Sequence, residues 1–76
     1  MSNHIRTEEL VPFRTWISWN GMPCLILAVN SSAERPGLKS VTLARYNSSG
    51  TKISTNTMDA APRAVWTPRP TPRMFS

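Results

Sequence analysis

A chain of 76 residues with one cysteine, one histidine and a net charge of +5 has room for one domain and a thin core. At this length a little over ~60% of the unfolded surface is buried, and a single core rarely supplies more than about 3–5 kcal/mol. One cysteine excludes an intrachain disulfide and one histidine, His4, excludes a Cys/His metal cluster, so self-association is the support expected of so small a fold.

In chain order, residues 1–12 are polar, lack clear periodicity and end at Pro12; they read as an N-terminal arm. Thr7 to Val11 predicts a short helical turn, with Thr7 as cap and Glu8 and Glu9 in its first turn. The arm carries no apolar run of the kind a signal peptide needs. The longest apolar run in the chain is far short of the ~20 residues that span a bilayer. The expectation is an intracellular protein, cytoplasmic in its host cell, with no membrane partner.

At Phe13 the pattern turns to β. Phe13, Thr15, Ile17 and Trp19 alternate with Arg14, Trp16, Ser18 and Asn20, which predicts a strand with Trp16 and Trp19 on opposite faces. Asn20-Gly21 accepts the positive φ of a type I′ hairpin turn. The returning strand, Pro23 to Val29, is apolar on both faces, as a central strand or one buried in an oligomer would be. Cys24 lies within it and reads as a small core residue; the alternative, a reactive thiol, needs a base or a positive surrounding.

Asn30 to Gly37 is a loop by composition. Lys39 to Tyr46 predicts a strand with Val41 and Leu43 on one face and Thr42, Ala44 and Tyr46 on the other. Asn47 to Gly50 turns the chain. Thr51 to Thr57 is a polar strand whose composition suits an edge. Met58 to Pro62 predicts one helical turn, and Arg63 to Thr67 a short last strand. From Pro68 the chain cannot supply regular ladder donors and is expected as extended polyproline II.

The fold expected is therefore all-β: a small five-stranded SH3-like barrel or curled antiparallel sheet over residues 13–67. An N-terminal arm (1–12) precedes it, and an extended, basic proline/arginine-rich tail (68–76) follows.

Chemistry for catalysis is not assembled in this sequence. Nucleophilic catalysis needs a base beside the nucleophile, and His4 stands far from Cys24 in the chain. Glu8 and Glu9 are adjacent, Glu34 is in a loop and Asp59 is alone, so no pair of carboxylates is spaced across a substrate. Gly21, Gly37 and Gly50 fall in separate turns rather than in a phosphate-cradling loop. The reading is a non-enzymatic binding protein with no cofactor and no metal.

The charge placement indicates what it binds. Residues 1–38 cancel, three arginines against three glutamates; residues 39–76 hold Lys39, Arg45, Lys52, Arg63, Arg69 and Arg73 against Asp59 alone. An anionic partner suits this asymmetry, while a solvated basic face is the plainer alternative. Aromatic residues interleave with the arginines: Arg14, Trp16 and Trp19 on or beside the first strand, Arg45 and Tyr46 ending the third, and Arg63, Trp66 and Arg69 about the last. All of these but Trp16, together with Arg73, are the candidate ligand-binding residues. Stacking faces and guanidinium forks suit a nucleotide-like small molecule or a nucleic acid strand. A third reading is an inhibitor that docks on a host protein through its edge strand or tail. The tail itself reads as a partner-binding segment, a disordered basic arm or a strap onto a neighbouring subunit.

Two stretches, "SWNGMPCLILAV" (Ser18 to Val29) and "VWTPRPTP" (Val65 to Pro72), resemble the small phage proteins that defeat Thoeris immunity. In that family a W-N-G turn precedes a hydrophobic strand and a W-T-P element comes late in the chain. The resemblance implies a phage-type counter-defence protein that sequesters a cyclic ADP-ribose signal, with Trp19, Asn20, Gly21 and Trp66 in the matching positions. The family's pattern has an arginine three positions before its tryptophan, where Trp16 stands here. It also continues past W-T-P with an acidic, leucine-containing segment, where this chain has prolines and arginines.

Overall fold

Two turns organise the chain. In the computed structural model, which describes residues 4–73, Asn20 and Gly21 take φ of 53° and 76°. This is the pair of positive values a two-residue hairpin needs to match strand twist. They join β2 (Trp16–Trp19) to β3 (Met22–Ser31), in register Trp16↔Leu25 and Ile17↔Cys24. The second turn, Asn47 to Gly50, joins β4 (Lys39–Tyr46) to β5 (Lys52–Ala60). There the Asn47 side-chain oxygen accepts from the backbone N–H of Ser49 and of Thr51, each at 2.9 Å. Gly50, at φ 84°, completes the reversal.

The result is a five-stranded antiparallel sheet in the order β5-β4-β3-β2-β7, where β7 is Pro68–Arg69. A two-stranded ribbon stands beside it: β1 (Ile5–Arg6) pairs with β6 (Val65–Trp66). The all-β expectation holds. β5 and β7 are the free edges of the larger sheet.

One face of the sheet carries the core. Ile17, Cys24, Ile26, Val41 and Leu43 are buried there with Leu10 from the N-terminal segment. Ile5, Trp19, Val29, Met58, Ala60 and Trp66 pack around them. A fully buried Ile, Leu or Val contributes about 1.5–3 kcal/mol relative to exposure, so these few side chains carry most of the stability. Pleat alternation puts Trp16, Leu25, Ala44 and Tyr46 on the opposite face. That face is partly closed as well: Trp16 is 5% exposed and Ala44 0%. The Trp16 and Tyr46 rings meet at 5.4 Å and 52°. The double-faced apolar character of β3 therefore has a cause inside the chain.

Several expected boundaries are corrected. The first strand does not start at Phe13. Residues 11–15 form a tight turn in which Arg14 and Thr15 both donate to the Val11 carbonyl, and Phe13 sits at φ 64°. The chain still bonds to β3 there, since Phe13 donates to the Ile26 carbonyl (2.7 Å) and Ile26 donates to that of Thr15 (3.0 Å). The helical turn is a 3-10 turn, Thr7–Glu9, capped by Arg6 rather than Thr7. The Arg6 N–H donates to Glu9 Oε1 at 2.9 Å, and Thr7 is buried. Met58 to Ala60 extend β5 instead of coiling, because Met58 pairs with Val41 and packs on the core; the turn comes at Ala61 to Ala64. Val65–Trp66 leaves the main sheet to pair with β1.

The tail corrects the polyproline expectation for residues 68 and 69. Ser18 donates to the Thr67 carbonyl at 2.9 Å, and Pro68 stands opposite Ile17. By antiparallel alternation Pro68 then holds a non-hydrogen-bonded position, where a missing N–H costs nothing. Met1 to Asn3, and Met74 to Ser76 at the end of the expected tail, lie outside the described residues.

Candidate ligand-binding site

Three segments far apart in sequence meet at one end of the sheet. The β2–β3 turn brings Gly21, Met22 and Pro23; the end of β4 brings Tyr46 and Asn47; the tail brings Arg69 and Arg73. Between them lies an open cleft of about 720 Å³. Tyr46 reaches it from β4 with its ring against Trp16. Arg69 reaches it from β7, where its pairing with Trp16 fixes its backbone. Arg45 stands at the same corner on the core side and donates from Nη2 to Met22 Sδ at 3.3 Å.

The cleft is electropositive. Glu8 pairs with Arg6 and Asp59 with Arg35, Glu9 caps the 3-10 turn, and none of the four acidic side chains lines the cleft. Two arginines of this corner, Arg45 and Arg69, also act on Cys24, which is buried in the core. Burial pushes that thiol up from its ordinary pKa, while the guanidinium groups of Arg45 and Arg69 pull the other way. Burial wins, so Cys24 is a neutral thiol at neutral pH. Its Sγ lies 3.8 Å from the Met22 carbonyl.

The remaining candidates lie elsewhere. Trp19 and Trp66 flank a separate slot of about 250 Å³ with Met58 and Val65. The Trp66 indole is engaged in the fold, since Nε1 donates to Thr7 Oγ1 at 2.8 Å. Arg14 lines a third cleft, of about 450 Å³, with Phe13, Trp16 and Thr71. Arg63 is exposed in the Ala61 to Ala64 turn and lines none of these. Of the eight candidates, Tyr46, Arg69 and Arg73 share one cleft, with Arg45 at its margin.

Sequence reasoning passed over Met22, Pro23, Asn47 and Ser48 as lining residues. The available signal was positional: each follows a turn or stands in one, and hairpin turns at one end of a sheet are neighbours. Among the described residues, no group of three or more His, Cys, Asp or Glu converges to hold a metal ion, and no helix is long and apolar enough to cross a membrane. No protein-family model, curated protein or solved structure matches this chain.

Proposed function

We propose that this is a non-enzymatic binding protein that sequesters an anionic, nucleotide-like small molecule in the cleft between the two hairpin turns and the tail. The observation that carries the reading is the meeting of Tyr46, Arg69 and Arg73 around a concave site that no acidic side chain lines. An aromatic face supplies stacking, and guanidinium forks supply charge-assisted bonds to phosphate oxygens. Sequestration requires only affinity, and the neutral, buried state of Cys24 supports a packing role for the one thiol. The resemblance to phage anti-Thoeris proteins points the same way: a counter-defence sponge, homo-oligomeric, acting in the host cytoplasm. Of the two finer architectures expected, a small SH3-like barrel or a curled antiparallel sheet, the order β5-β4-β3-β2-β7 with its two edges favours the curled sheet.

Calorimetry against a panel of nucleoside mono- and diphosphates and cyclic ADP-ribose tests it, with a single-stranded oligonucleotide as comparator. One or more of the small nucleotides should bind, and Arg69→Ala should weaken that binding at least ~10-fold, since a hydrogen bond to a charged group is worth about 1.5–3 kcal/mol. Binding of the oligonucleotide alone, with a steep salt dependence, would replace this reading with a nucleic-acid module. Binding of a nucleotide that Arg69→Ala, Arg73→Ala and Tyr46→Ala leave untouched would place the site elsewhere.

A further inference from the structure

The two edges of the sheet are built in opposite ways. One edge, β7, is two residues long and runs directly into Pro70 and Pro72. The other, β5, is nine residues long, contains no proline, and departs from regular pairing only near its start, between Arg45 and Tyr46 of its neighbour. Natural sheets guard their edges with short strands, charged side chains such as lysine, prolines or bulges. The first edge is guarded throughout; on the second such guards stand only at the ends, Lys52 and the register shift at the start and Asp59 near the finish, and the stretch 54–58 between them is open.

The direction of its backbone groups follows from the register. Ile26 exchanges bonds with the β2 side, so Leu25 faces β4 and is hydrogen-bonded to Ala44. Alternation then turns Val41, Leu43 and Arg45 toward β5, where they meet Met58, Asn56 and Ser54. The N–H and C=O groups of Thr55, Thr57 and Asp59 therefore point outward, away from the sheet. No backbone bond from any other described segment reaches them. The side chains beside them are suited to pairing, since threonine favours strands and Thr57 already bonds across to Thr42 at 3.1 Å.

From these observations we infer that β5 is a homodimer interface. Two copies join antiparallel along this edge into one continuous ten-strand sheet about a two-fold axis. Charge selects the direction. β5 carries one cation, Lys52, at its start and one anion, Asp59, near its end; Asp59 already meets Arg35 at 3.8 Å within the chain and keeps 30% of its side chain exposed for a second cation. Antiparallel pairing brings Lys52 of each copy to the end that holds Asp59 of the other, whereas parallel pairing sets like charges side by side. The strand's own residues sum to zero although the chain carries +5. The guarded β7 edges become the outer rims, and assembly closes at two copies. This interface stands independently of the ligand assigned to the cleft.

Sedimentation equilibrium of the full-length protein across the micromolar range tests it. The expected species has twice the 8.5 kDa chain mass, in exchange with monomer and with nothing larger. Thr55→Pro removes an outward N–H while leaving the β4–β5 ladder intact, and should abolish the dimer with circular dichroism unchanged. Lys52→Glu covers the case in which that variant fails to fold. It should weaken dimerisation several-fold, as two symmetry-related exposed pairs allow, and Lys52→Glu with Asp59→Lys should restore it. A monomer throughout, growth beyond the dimer, or a dimer indifferent to folded Thr55→Pro and to Lys52→Glu would overturn the inference.

Discussion

The bond between Trp66 and Thr7 offers the sharpest test of how the ends of this chain are held. Trp66 Nε1 donates to Thr7 Oγ1 at 2.8 Å, Thr7 is 0% exposed, and its own N–H donates to the Ala64 carbonyl at 3.0 Å. The hydroxyl of Thr7 reaches the same carbonyl over a longer 3.4 Å. Thr7→Val keeps the shape of the side chain and deletes only the oxygen. The loss is one net hydrogen bond, about 0.5–1.5 kcal/mol, plus part of the cost of an indole N–H left unpaired in a half-buried place. A total of about 1–2 kcal/mol is expected, roughly a fifth to two thirds of the ~3–5 kcal/mol available to a fold this small. For a domain of this length that lowers Tm by roughly 5–15 °C. Trp66→Phe should cost more, because ring volume is lost as well. The double variant should recover about 0.5–1.5 kcal/mol relative to the sum of the singles. Urea unfolding followed by far-UV circular dichroism measures all four proteins. Strict additivity, or a Thr7→Val protein as stable as the parent, would refute the claim that this contact holds the termini.

Two further outcomes are expected. Cys24→Ala should cost on the order of 1 kcal/mol as a small core truncation, and nucleotide binding measured by calorimetry should be unchanged. Because burial raises the thiol pKa in the folded protein above its ordinary value of 9.0, its contribution is intact below that value and is lost as pH rises beyond it. Urea unfolding at alkaline pH should show this decline, and Cys24→Ala should lack it. Deleting residues 68–76 should both weaken nucleotide binding by at least ~10-fold and lower Tm, since the deletion strips β7 from β2 and uncovers Trp16. A truncated protein with unchanged Tm would show that the β7 pairing contributes nothing.

What the sequence disclosed follows the range of the interactions concerned. β4 was legible to the residue because Val41 and Leu43 alternate with Thr42 within a run bounded by loop residues on both sides. Asn20-Gly21 was legible because a two-residue turn has a local chemical requirement. The β1–β6 ribbon was not, because it pairs Ile5 with Trp66 across nearly the whole chain and two-residue strands have no period to detect. Met58 to Ala60 read as a turn from composition, yet pairing with β4 and contact with the core outweighed that weak local preference. The site was half legible for the same reason. The sequence identified the arginines and aromatics, but which of them share a cleft depends on register and on which end of the sheet each reaches. Tyr46 and Arg69 meet through Trp16, which contacts the one and pairs with the other, while Arg63, only six positions from Arg69, lines none of the clefts.

The alternation of proline with arginine at the C-terminus has a physical logic that neither residue supplies alone. An edge strand turns every second N–H outward, and a proline placed there removes a donor that would otherwise invite another chain. Pro68 occupies such a position opposite Ile17. The next residue must turn inward to bond β2, and its side chain projects on the opposite face, where Trp16 and Tyr46 lie. Arg69 occupies that place. One short segment thus closes an edge with Pro68 and brings a cation to the cleft with Arg69, and in the proposed function the stiffness of the prolines would lower the entropy lost on engaging an anion. A tail with the prolines and arginines exchanged would open the first edge and turn the charge toward the core, so the order of the two residue types matters as much as their number.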